Sequence, residues 1–533
     1  MKKFSFISII LITILVIPII LPTNGFIRRE SSGYLSEILD SIQSSGLYDQ
    51  VPSFEEKFEV FDSLIKPMSQ SQNWGLSNIN AFNARSIAPS FSVIIVGVLD
   101  TGIDGNHPSL RDFIHPGNLH KDFVRNERPG RALQDPHGHG TQVAGLIASR
   151  STGVATNIRL VSLRVGDENG SMSLDAVTRA IVYATENNIP ILNYSARGYV
   201  RHEPRRIAIR NFPGLFVTAA GNENNDNDRN PAYPATYGLG NIVSVGASDE
   251  SNRRVDFTYL FTRRASNYGR QTVHLFAPGI RTVTTNRGGG YIGSDSFLSA
   301  PFWGTSFAAP HVAGTAALML SVNPLLTPYT LRMLMMNNVD TNTRLQDICR
   351  SGGRLNAYRA VRAAHSFTAN IWSPHELSRI GNANGNFRLA RDIDLSELGP
   401  TWTPIPNFSG ILDGNGFTIM NVVVIVPNTG IHSSGLFGTL NGAIVHNLSI
   451  RNATVATTGN VHLIVHMGAL VGNMINNSVV DSVEVIRPWM VSSSTGIGTG
   501  HVQAGGIAGR VHNSMIINSN VEDLMWLGNG IYD

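Results

Sequence analysis

The sequence predicts an α/β domain with a mainly parallel sheet, followed by an all-β domain of stacked repeats. Two short apolar runs rich in β-branched residues, 91–99 and 216–220, are typical of central parallel strands, which are buried on both faces. The stretch 304–320 is small or apolar almost all round, which indicates a buried helix. The second half repeats a glycine motif at a nearly constant period, as solenoids do.

Length and composition limit the number of domains and the possible classes of function. The 533 residues are enough for two or three domains with separate cores. The 41 basic residues nearly balance 38 acidic ones, so no nucleic acid or anionic membrane partner is indicated. Cys349 is the only cysteine, which excludes an intramolecular disulfide. We interpret it as a small buried side chain.

The amino terminus has the pattern of an export signal. Lys2 and Lys3 precede an apolar run, 4–21, and the segment 1–25 is therefore interpreted as a signal peptide. The run is longer than a usual signal core and lacks a clean Ala-x-Ala site, so an uncleaved membrane anchor is the alternative. Either way, the sequence predicts a secreted, extracellular or cell-surface protein. The polar segment 26–73 is a short pro-segment or a linker.

The segment 304–314, with the sequence GTSFAAPHVAG, places a serine at a helix start. We expect the helix to begin at Ser306. Its hydroxyl would lie at the positive end of the helix dipole, beside backbone N–H groups that lack intrahelical partners. An oxyanion formed there would be stabilised. Serine is also a common N-cap residue, so this motif alone assigns no role.

Two motifs upstream carry further polar groups. The first strand ends in Asp100, at the edge where α/β sheets place ligands and catalytic groups, although an isolated carboxylate there usually caps a turn. The segment 135–148, with the sequence DPHGHGTQVAGLIA, predicts a closely packed helix with His139 in its first turn. His137 is discounted because only His139 is followed directly by the pattern GTxVAG.

In chain order, Asp100, His139 and Ser306 would supply an orienting carboxylate, a general base and a nucleophile. The three motifs resemble those of subtilisin-like serine proteases, the subtilases, in which this chain order is known. The resemblance runs from about residue 74 to 364. It implies a doubly wound, mainly parallel-sheet catalytic domain over 74–365, and a serine endopeptidase that forms an acyl-enzyme and needs no cofactor.

The same resemblance implies an oxyanion hole and a substrate cleft. The segment 216–223, FVTAAGNE, resembles the subtilase oxyanion motif, so Asn222 is expected to donate its side-chain amide together with the backbone N–H of Ser306. The segment 193–198, NYSARG, resembles the one that pairs with the substrate backbone. The expected substrate-binding residues are Ser195, Ala196, Arg197, Gly198, Gly170, Ser171, Gly221 and Glu223.

Specificity and metal binding stay open at this point. Subtilases usually carry glycine where Arg197 stands. The Arg197 cation would narrow the rim of the substrate pocket or favour an acidic substrate side chain. Glu223, on the opposite wall, would favour a basic one. The stretch between Ile147 and Val154 is short for the calcium-binding loop of many secreted subtilases, so no metal ligand is assigned and calcium remains an open question. The acidic run 223–230 offers oxygen ligands, but a solvated loop is the favoured interpretation.

After residue 365, Asn, Gly, Val and Ile dominate. The motifs GLFG, GALVG and GGIAG end at Gly438, Gly472 and Gly509, with spacings of 34 and 37 residues. They resemble the GLUG-type repeats of bacterial surface proteins, which implies a right-handed parallel β-helix over 366–533. We expect this domain to hold the chain near a polysaccharide, protein or cell-wall partner. Turn roles are favoured over a metal or glycosidase site for three acids of this region, Asp392, Asp394 and Asp413.

The leading hypothesis is an exported serine endopeptidase that acts on proteins or peptides, with no role in nucleic-acid binding. The alternative is a surface adhesin whose subtilase domain is an inactive scaffold. A third hypothesis is a protease that mainly processes itself or one partner, with the Arg197 side of the cleft restricting turnover.

Overall fold

A computed structural model describes residues 73–88, 94–124, 131–259, 262–293, 302–427, 432–457, 464–492 and 502–528. The predicted signal or anchor, 1–25, lies outside these residues, as does nearly all of the predicted pro-segment. Within the described ranges, no helix is both long and apolar enough to cross a membrane.

Short strands make up the sheets of the first half, and the central ones are mainly apolar and buried. Nearly every residue of the central strands is inaccessible, as expected for parallel strands covered on both faces. The strands are β1 Ile95–Asp100, β2 Lys121–Asp122, β3 Arg159–Arg164, β4 Ile191–Tyr194, β5 Leu215–Ala219, β6 Ile242–Ser248, β7 Asp256–Tyr259, β8 Thr262–Ala265, β9 Leu275–Pro278, β10 Thr284–Asn286, β11 Gly290–Ile292, β12 Asp340–Thr341 and β13 Gly353–Arg354.

Nine of these strands form one sheet in the order β12-β13-β9-β6-β5-β4-β1-β3-β2. Every neighbouring pair is parallel except β12 with β13, which confirms the predicted α/β architecture with a mainly parallel sheet. Alternate residues pack on opposite faces: Leu215 and Val217 join one core and Phe216 the other. The strand order reverses at β1, between β3 and β4, and such switch points are where α/β sheets bind ligands.

Helices cover both faces of this sheet. The helices in the described part of the chain are α1 Trp74–Asn78, α2 Ala81–Ile87, α3 His139–Ile147, α4 Leu174–Glu186, α5 Glu203–Asn211, α6 Thr305–Val322, α7 Pro328–Asn337, α8 Ala357–Ser366 and α9 Pro374–Ser378, with 3₁₀ turns at Arg111–Phe113, Arg131–Leu133 and Leu395–Leu398. Of these, α9 and the last 3₁₀ turn pack in the core of the second half. Helices α3, α6 and α8 pack in one core, and α4 and α5 in the other.

Helix α6 is buried along its whole length, as its composition predicts. Its start differs from the prediction by one residue, because the helix begins at Thr305 and not at Ser306. Gly304 is the N-cap residue, with a φ of 156°, a conformation that excludes it from the helix and that side chains disfavour. Ser306 is therefore the second helical residue.

The second half is rich in short strands, and every strand pair in it is parallel. Its strands are β14 Thr368–Ile371, β15 Asn386–Leu389, β16 Ile393–Asp394, β17 Ile405–Phe408, β18 Ile411–Asp413, β19 Thr418–Met420, β20 Val423–Val426, β21 His432–Ser434, β22 Phe437–Asn441, β23 Ile444–Arg451, β24 Thr454–Thr457, β25 Val465–Gly468, β26 Val471–Ile475, β27 Val479–Ile486, β28 Trp489–Ser492, β29 Val502–Gly505, β30 Ala508–Val511, β31 Met515–Ile517, β32 Asn520–Glu522 and β33 Met525–Gly528.

The repeated glycines and asparagines have local structural reasons. A Cβ atom on Gly472 would collide with the backbone of Ser434, and one on Gly509 with the backbone of Met467. Several asparagines, at strand ends or, for Asn447, within β23, adopt the left-handed conformation that this residue tolerates. They are Asn415, Asn421, Asn447, Asn452, Asn476, Asn477, Asn513 and Asn518.

The three acids of this region accept turn and ladder hydrogen bonds. Asp413 accepts from the N–H of Asn415 at 2.8 Å and from Arg388 Nε at 2.9 Å. Asp392 accepts from the N–H of Thr418 at 2.8 Å. Asp394 accepts from the N–H and the hydroxyl of its near neighbour Ser396.

The two halves contact each other directly, and all described residues belong to one compact unit. Arg379 donates to the carbonyl of Pro324 at 2.7 Å, just beyond the end of α6. Asn384 donates to the carbonyl of Ile87 at 2.9 Å. A side chain on Gly385 would collide with the carbonyl of Val322. The strand-rich half therefore packs against the far end of the helix that carries Ser306.

Candidate active site

Asp100 and His139 meet at the carboxyl end of β1. Asp100 is completely buried, and its Oδ1 accepts from the N–H of Thr101 and from His139 Nδ1, both at 2.8 Å. His139 is the first residue of α3, as predicted. Since Nδ1 donates to the carboxylate, Nε2 is the ring nitrogen left to accept a proton.

Gly140 allows the start of α3 to lie close to the end of β1. A Cβ atom on Gly140 would overlap the carbonyl of Gly102 and would lie 3.1 Å from the Cβ of Asp100. Any side chain there would push the start of α3 away from β1. His137, the neighbouring histidine, is exposed and lies beside His139 without bonding to Asp100.

Asp135 also positions the site, and the sequence analysis assigned it no role. Its Oδ1 accepts from the hydroxyl of Thr101 and the N–H of Gly138, and its Oδ2 from the N–H and hydroxyl of Thr141, all at 2.7 to 2.8 Å. The carboxylate thus joins the segment after β1 to the start of α3. Its place at the head of the histidine motif, four residues before His139, was the available signal.

The pKa of His139 is raised above its ordinary value. Burial alone lowers the pKa, because it disfavours the imidazolium. The charge of Asp100, its hydrogen bond to the ring and the charge of Asp135 act in the other direction and together outweigh burial. The ring is therefore a stronger base than a free histidine.

Ser306 lies at the start of α6 with a small exposed fraction, 9%. The next residue, Phe307, packs against the His139 ring with 5.6 Å between the ring centroids, so α6 begins beside the base. Among the described residues, the Ser306 hydroxyl makes no hydrogen bond. In the absence of substrate, catalytic hydrogen bonds of this kind are often loose, and they tighten when substrate binds.

The backbone of Ser306 is held by a neighbouring loop. Pro310 has no N–H, so the helical hydrogen bond to the carbonyl of Ser306 is missing. Ser195, just after β4, donates its hydroxyl to that carbonyl at 2.8 Å and accepts from Asn193 Nδ2 at 2.9 Å. A residue predicted to line the substrate cleft is thus fixed to the residue predicted to be the nucleophile.

Asn222, three residues after β5, is oriented toward Ser306. Its Oδ1 accepts from the N–H and hydroxyl of Thr305, both at 2.9 Å, which leaves Nδ2 as a donor. A Cβ atom built on Gly304 would lie 2.9 Å from Ser306 Oγ and 3.5 Å from Asn222 Nδ2. Gly304 therefore keeps open a space bordered by the predicted nucleophile and the predicted oxyanion donor, as an acyl-transfer site requires.

Arg197 and Glu223, whose opposite effects on specificity the sequence leaves open, form an ion pair with each other. Arg197 Nε donates to Glu223 Oε2 at 2.9 Å, and its Nη2 donates to Oε1. Glu223 also accepts from the N–H of Asn222 at 2.9 Å and from the hydroxyl of Tyr199 at 3.0 Å. Burial alone would raise the pKa of Glu223, but Arg197 and the other donors hold the pKa below its usual value.

The other predicted cleft residues lie near the Arg197–Glu223 ion pair or already form hydrogen bonds within the protein. Gly198 exchanges two backbone hydrogen bonds with Tyr233, at 2.7 and 2.8 Å, so its own backbone groups are not available to a substrate strand. Gly170 lies beside His137, and the N–H of Ser171 donates to Asp167 in the same turn. Ala196, between Ser195 and Arg197, is partly exposed, and Gly221 donates to the Thr305 hydroxyl at 3.1 Å.

Within the described ranges, no group of three or more His, Cys, Asp or Glu side chains is placed to hold a metal ion. Of the acidic run 223–230, Asp228 accepts from the N–H groups of Gln271 and Thr272. Asp226 accepts from the N–H of Asp228. The run is a hydrogen-bonded loop.

Comparisons with known proteins agree on one protein family. The model of the subtilase family, peptidase S8, matches residues 92–358. Alkaline elastase YaB from Bacillus sp. (strain YaB) is 33% identical over 299 residues, which are 55% of this chain and 71% of the elastase. The alkaline protease of Alkalihalobacillus alcalophilus is 32% identical over 56% of this chain and 70% of its own length. Subtilisin Savinase from Lederbergia lenta is 31% identical over 54% of this chain and 96% of its own length.

Proposed function

The chain belongs to the subtilase family of serine proteases, and from this premise we propose that it is an exported endopeptidase with Asp100, His139 and Ser306 as its catalytic triad. The observation that carries the proposal is the space beside Gly304, bordered by Ser306 Oγ and Asn222 Nδ2. A substrate carbonyl placed there would meet a nucleophile and an oxyanion donor together.

In the proposed mechanism, His139 Nε2 takes the proton of Ser306 Oγ as this oxygen attacks the peptide carbonyl carbon. Asn222 Nδ2 and the Ser306 N–H donate to the oxyanion, and a side-chain donor of this kind is worth about 3 to 4 kcal/mol in the subtilisin case from which the figure comes. His139 then protonates the leaving amine as the C–N bond breaks. Water, deprotonated by His139, cleaves the acyl ester and restores the serine. No organic cofactor takes part.

The domain boundaries belong to the same proposal: a signal or anchor over 1–25, a pro-segment or linker over 26–73, the catalytic domain over 74–365 and a β-helix over 366–533. The parallel pairing of strands one glycine repeat apart, such as Phe437 with Val471, supports the β-helix. We propose that this domain holds the protease at a surface or polysaccharide partner.

The test of the proposed function is labelling with a fluorophosphonate probe, which reacts with activated serines. Full-length protein is labelled, digested and mapped by mass spectrometry, with heat-unfolded protein as the control. The proposal expects a single label on Ser306 in the folded protein alone. If folded protein remains unlabelled after removal of residues 26–72, the inactive-scaffold alternative is favoured.

We further propose that the cleft prefers small, uncharged side chains at the residue before the cleaved bond. The loops that follow β4 and β5 leave adjacent strands and both contact the start of α6. The Arg197–Glu223 ion pair joins one loop to the other, beside Asn222. It therefore narrows the opening and leaves neither charge free to select a charged substrate.

Replacing Arg197 with glycine is expected to open the cleft and to expose the charge of Glu223. The kcat/KM ratio of a lysine substrate to an alanine substrate should rise at least about tenfold, since a pocket contact of this size is worth roughly 1 to 3 kcal/mol. Arg201→Gly is the matched control, because Arg201 lies on the same loop but contacts Glu203. An unchanged ratio in Arg197→Gly would rule out the ion pair as a selectivity element.

The raised pKa of His139 predicts the acid side of the pH profile. The base must be neutral, so kcat/KM should fall as the pH drops through an apparent pKa above the ordinary value of about 6.5. The same shift contributes folding stability that is complete below the unfolded-state pKa and is lost as the pH rises through the folded-state pKa. Rates with an uncharged peptide substrate measure the first effect, and an apparent pKa at or below 6.5 would contradict it.

A further inference from the structure

A second pocket lies at the opposite edge of the sheet from Asp100. It is a cavity of about 110 Å³ beside the first residues of β6 and β9, whereas Asp100 is the last residue of the parallel strand β1. Its lining includes Ile242, His274, Arg332 and Arg350. The proposed catalytic groups take no part in it, so its chemistry is a separate question.

The pocket carries positive charge without a matching acid. Arg332 comes from α7, and Arg350 from the turn before β13. An adjoining open cavity of about 620 Å³ shares Arg350 and Gln271 with it and adds Arg270. None of these three arginines forms an ion pair with any residue in the described ranges. Among the described residues, no acid is therefore ion-paired with the arginines of this pocket.

Arg332 has an unused donor inside the pocket wall. Its residue exposure is only 8%, and its Nη1 donates to the carbonyls of Leu239 at 2.9 Å and Ile242 at 3.3 Å. The buried Nε has no hydrogen-bond partner. A buried, charged donor without an acceptor is unfavourable, and guanidinium groups bind oxyanions through paired N–H donors. The missing partner is an acceptor, and the positive charge of the guanidinium favours one that carries negative charge.

The remaining groups suit the same ligand. His274 Nδ1 accepts from the N–H of Ser244 at 3.0 Å, so Nε2 carries the proton and can only donate. Burial and the two nearby arginines lower the pKa of His274 to about 3, which keeps this tautomer neutral at ordinary pH. Gln271 also lines the pocket. Asp228 accepts from the N–H groups of Gln271 and Thr272, and its charge opposes an anion.

We propose that this pocket binds a small oxyanion of the phosphate or sulfate type. The charged or polar side chains that line the cavity come from three segments, α7, the residue before β9 and the turn that carries Arg350, and arginine pairs favourably with phosphate-type oxyanions. The bound anion would join α7 to the first residues of β6 and β9. Since the pocket exists only in the folded chain, the anion would stabilise the fold. This inference does not depend on the proposed protease activity.

The test is thermal unfolding of the full chain in increasing inorganic phosphate, with sodium chloride adjusted to constant ionic strength. The Tm should rise with phosphate and saturate, and calorimetric titration should give a one-to-one stoichiometry. Arg350→Gln removes an exposed charge, so its Tm without phosphate should match the wild type while its phosphate affinity falls at least about tenfold. Arg344→Gln, an exposed arginine on the same segment that does not line the pocket, should keep the wild-type affinity.

Three results would overturn the proposal, and the first two concern phosphate itself. One is a phosphate response no larger than that to chloride, with no heat of binding. The other is an Arg350→Gln protein that binds phosphate as the wild type does. A carboxylate such as acetate that binds more tightly than phosphate would also contradict it, since the ligand class would then be different.

Discussion

Replacing Ser306 with alanine is expected to reduce peptide hydrolysis by roughly a million-fold, the loss measured for the nucleophile of a subtilisin. The alanine protein keeps the backbone N–H at residue 306 and the Asn222 amide, so oxyanion binding survives while the attacking oxygen is lost. The Tm should stay nearly constant, because Gly304 and not Ser306 is the N-cap residue and the hydroxyl has no hydrogen bond among described residues. Initial rates on a peptide amide, with active-site titration of the wild type, measure the effect.

Ser321→Ala is the matched control for this change. Ser321 is a buried serine at the other end of the same helix, where its hydroxyl donates to the carbonyl of Leu318 at 2.7 Å. We expect near wild-type rates from it. If Ser306→Ala keeps more than a few per cent of the wild-type rate, Ser306 is not the nucleophile and the proposed mechanism fails.

Replacing Asp100 with asparagine should lower kcat by about 10⁴-fold, as the corresponding change does in a serine protease triad. Asp100 Oδ1 accepts from both Thr101 and His139 Nδ1. An asparagine that turns its amide N–H₂ toward the ring would force Nδ1 to accept, so Nε2 would carry the proton and could no longer act as a base. The loss should appear in kcat more than in KM.

The pH profile separates this role from a merely structural one. Without the negative charge of Asp100, the pKa of His139 should fall, so the acid limb of the residual activity should move to lower pH. Asp175→Asn, the same change on the exposed face of α4, serves as the control. An Asp100→Asn enzyme with kcat within tenfold of wild type, or with an unmoved acid limb, would contradict the assignment.

Most of the fold prediction rests on local sequence patterns. The buried run that ends in Asp100 and the small residues after His139 predict β1 and α3 because periodicity and residue size are local properties. Boundaries are less accurate: the first strand is predicted over 91–99, of which 91–93 lie outside the described residues, and β1 spans Ile95–Asp100. Helix α6 begins at Thr305, one residue before the predicted start. Neighbouring backbone geometry, such as the φ of Gly304, decides such ends.

Contacts between distant segments could not be predicted in the same way. Arg197 and Glu223 read as two separate charges in the sequence, and only the pairing of β4 with β5 brings their loops together. Asp135 gains its role from a contact with Thr101, which lies 34 residues earlier in the chain. The Arg332 pocket depends on carbonyl groups of residues 239 and 242, which a pattern of side chains does not reveal.

Pro310 leaves the carbonyl of Ser306 free to bind a group outside helix α6. Because its ring leaves one carbonyl of α6 outside the helical ladder, Ser195 can join the helix to the loop after β4 through a single hydrogen bond. In the proposed enzyme, that loop holds the substrate and the helix holds the nucleophile. The position of the scissile bond relative to the Ser306 hydroxyl would then depend on this one hydrogen bond between Ser195 and Ser306. It would depend less on the longer path through the strands of the sheet. A shift of the substrate strand carries the serine with it.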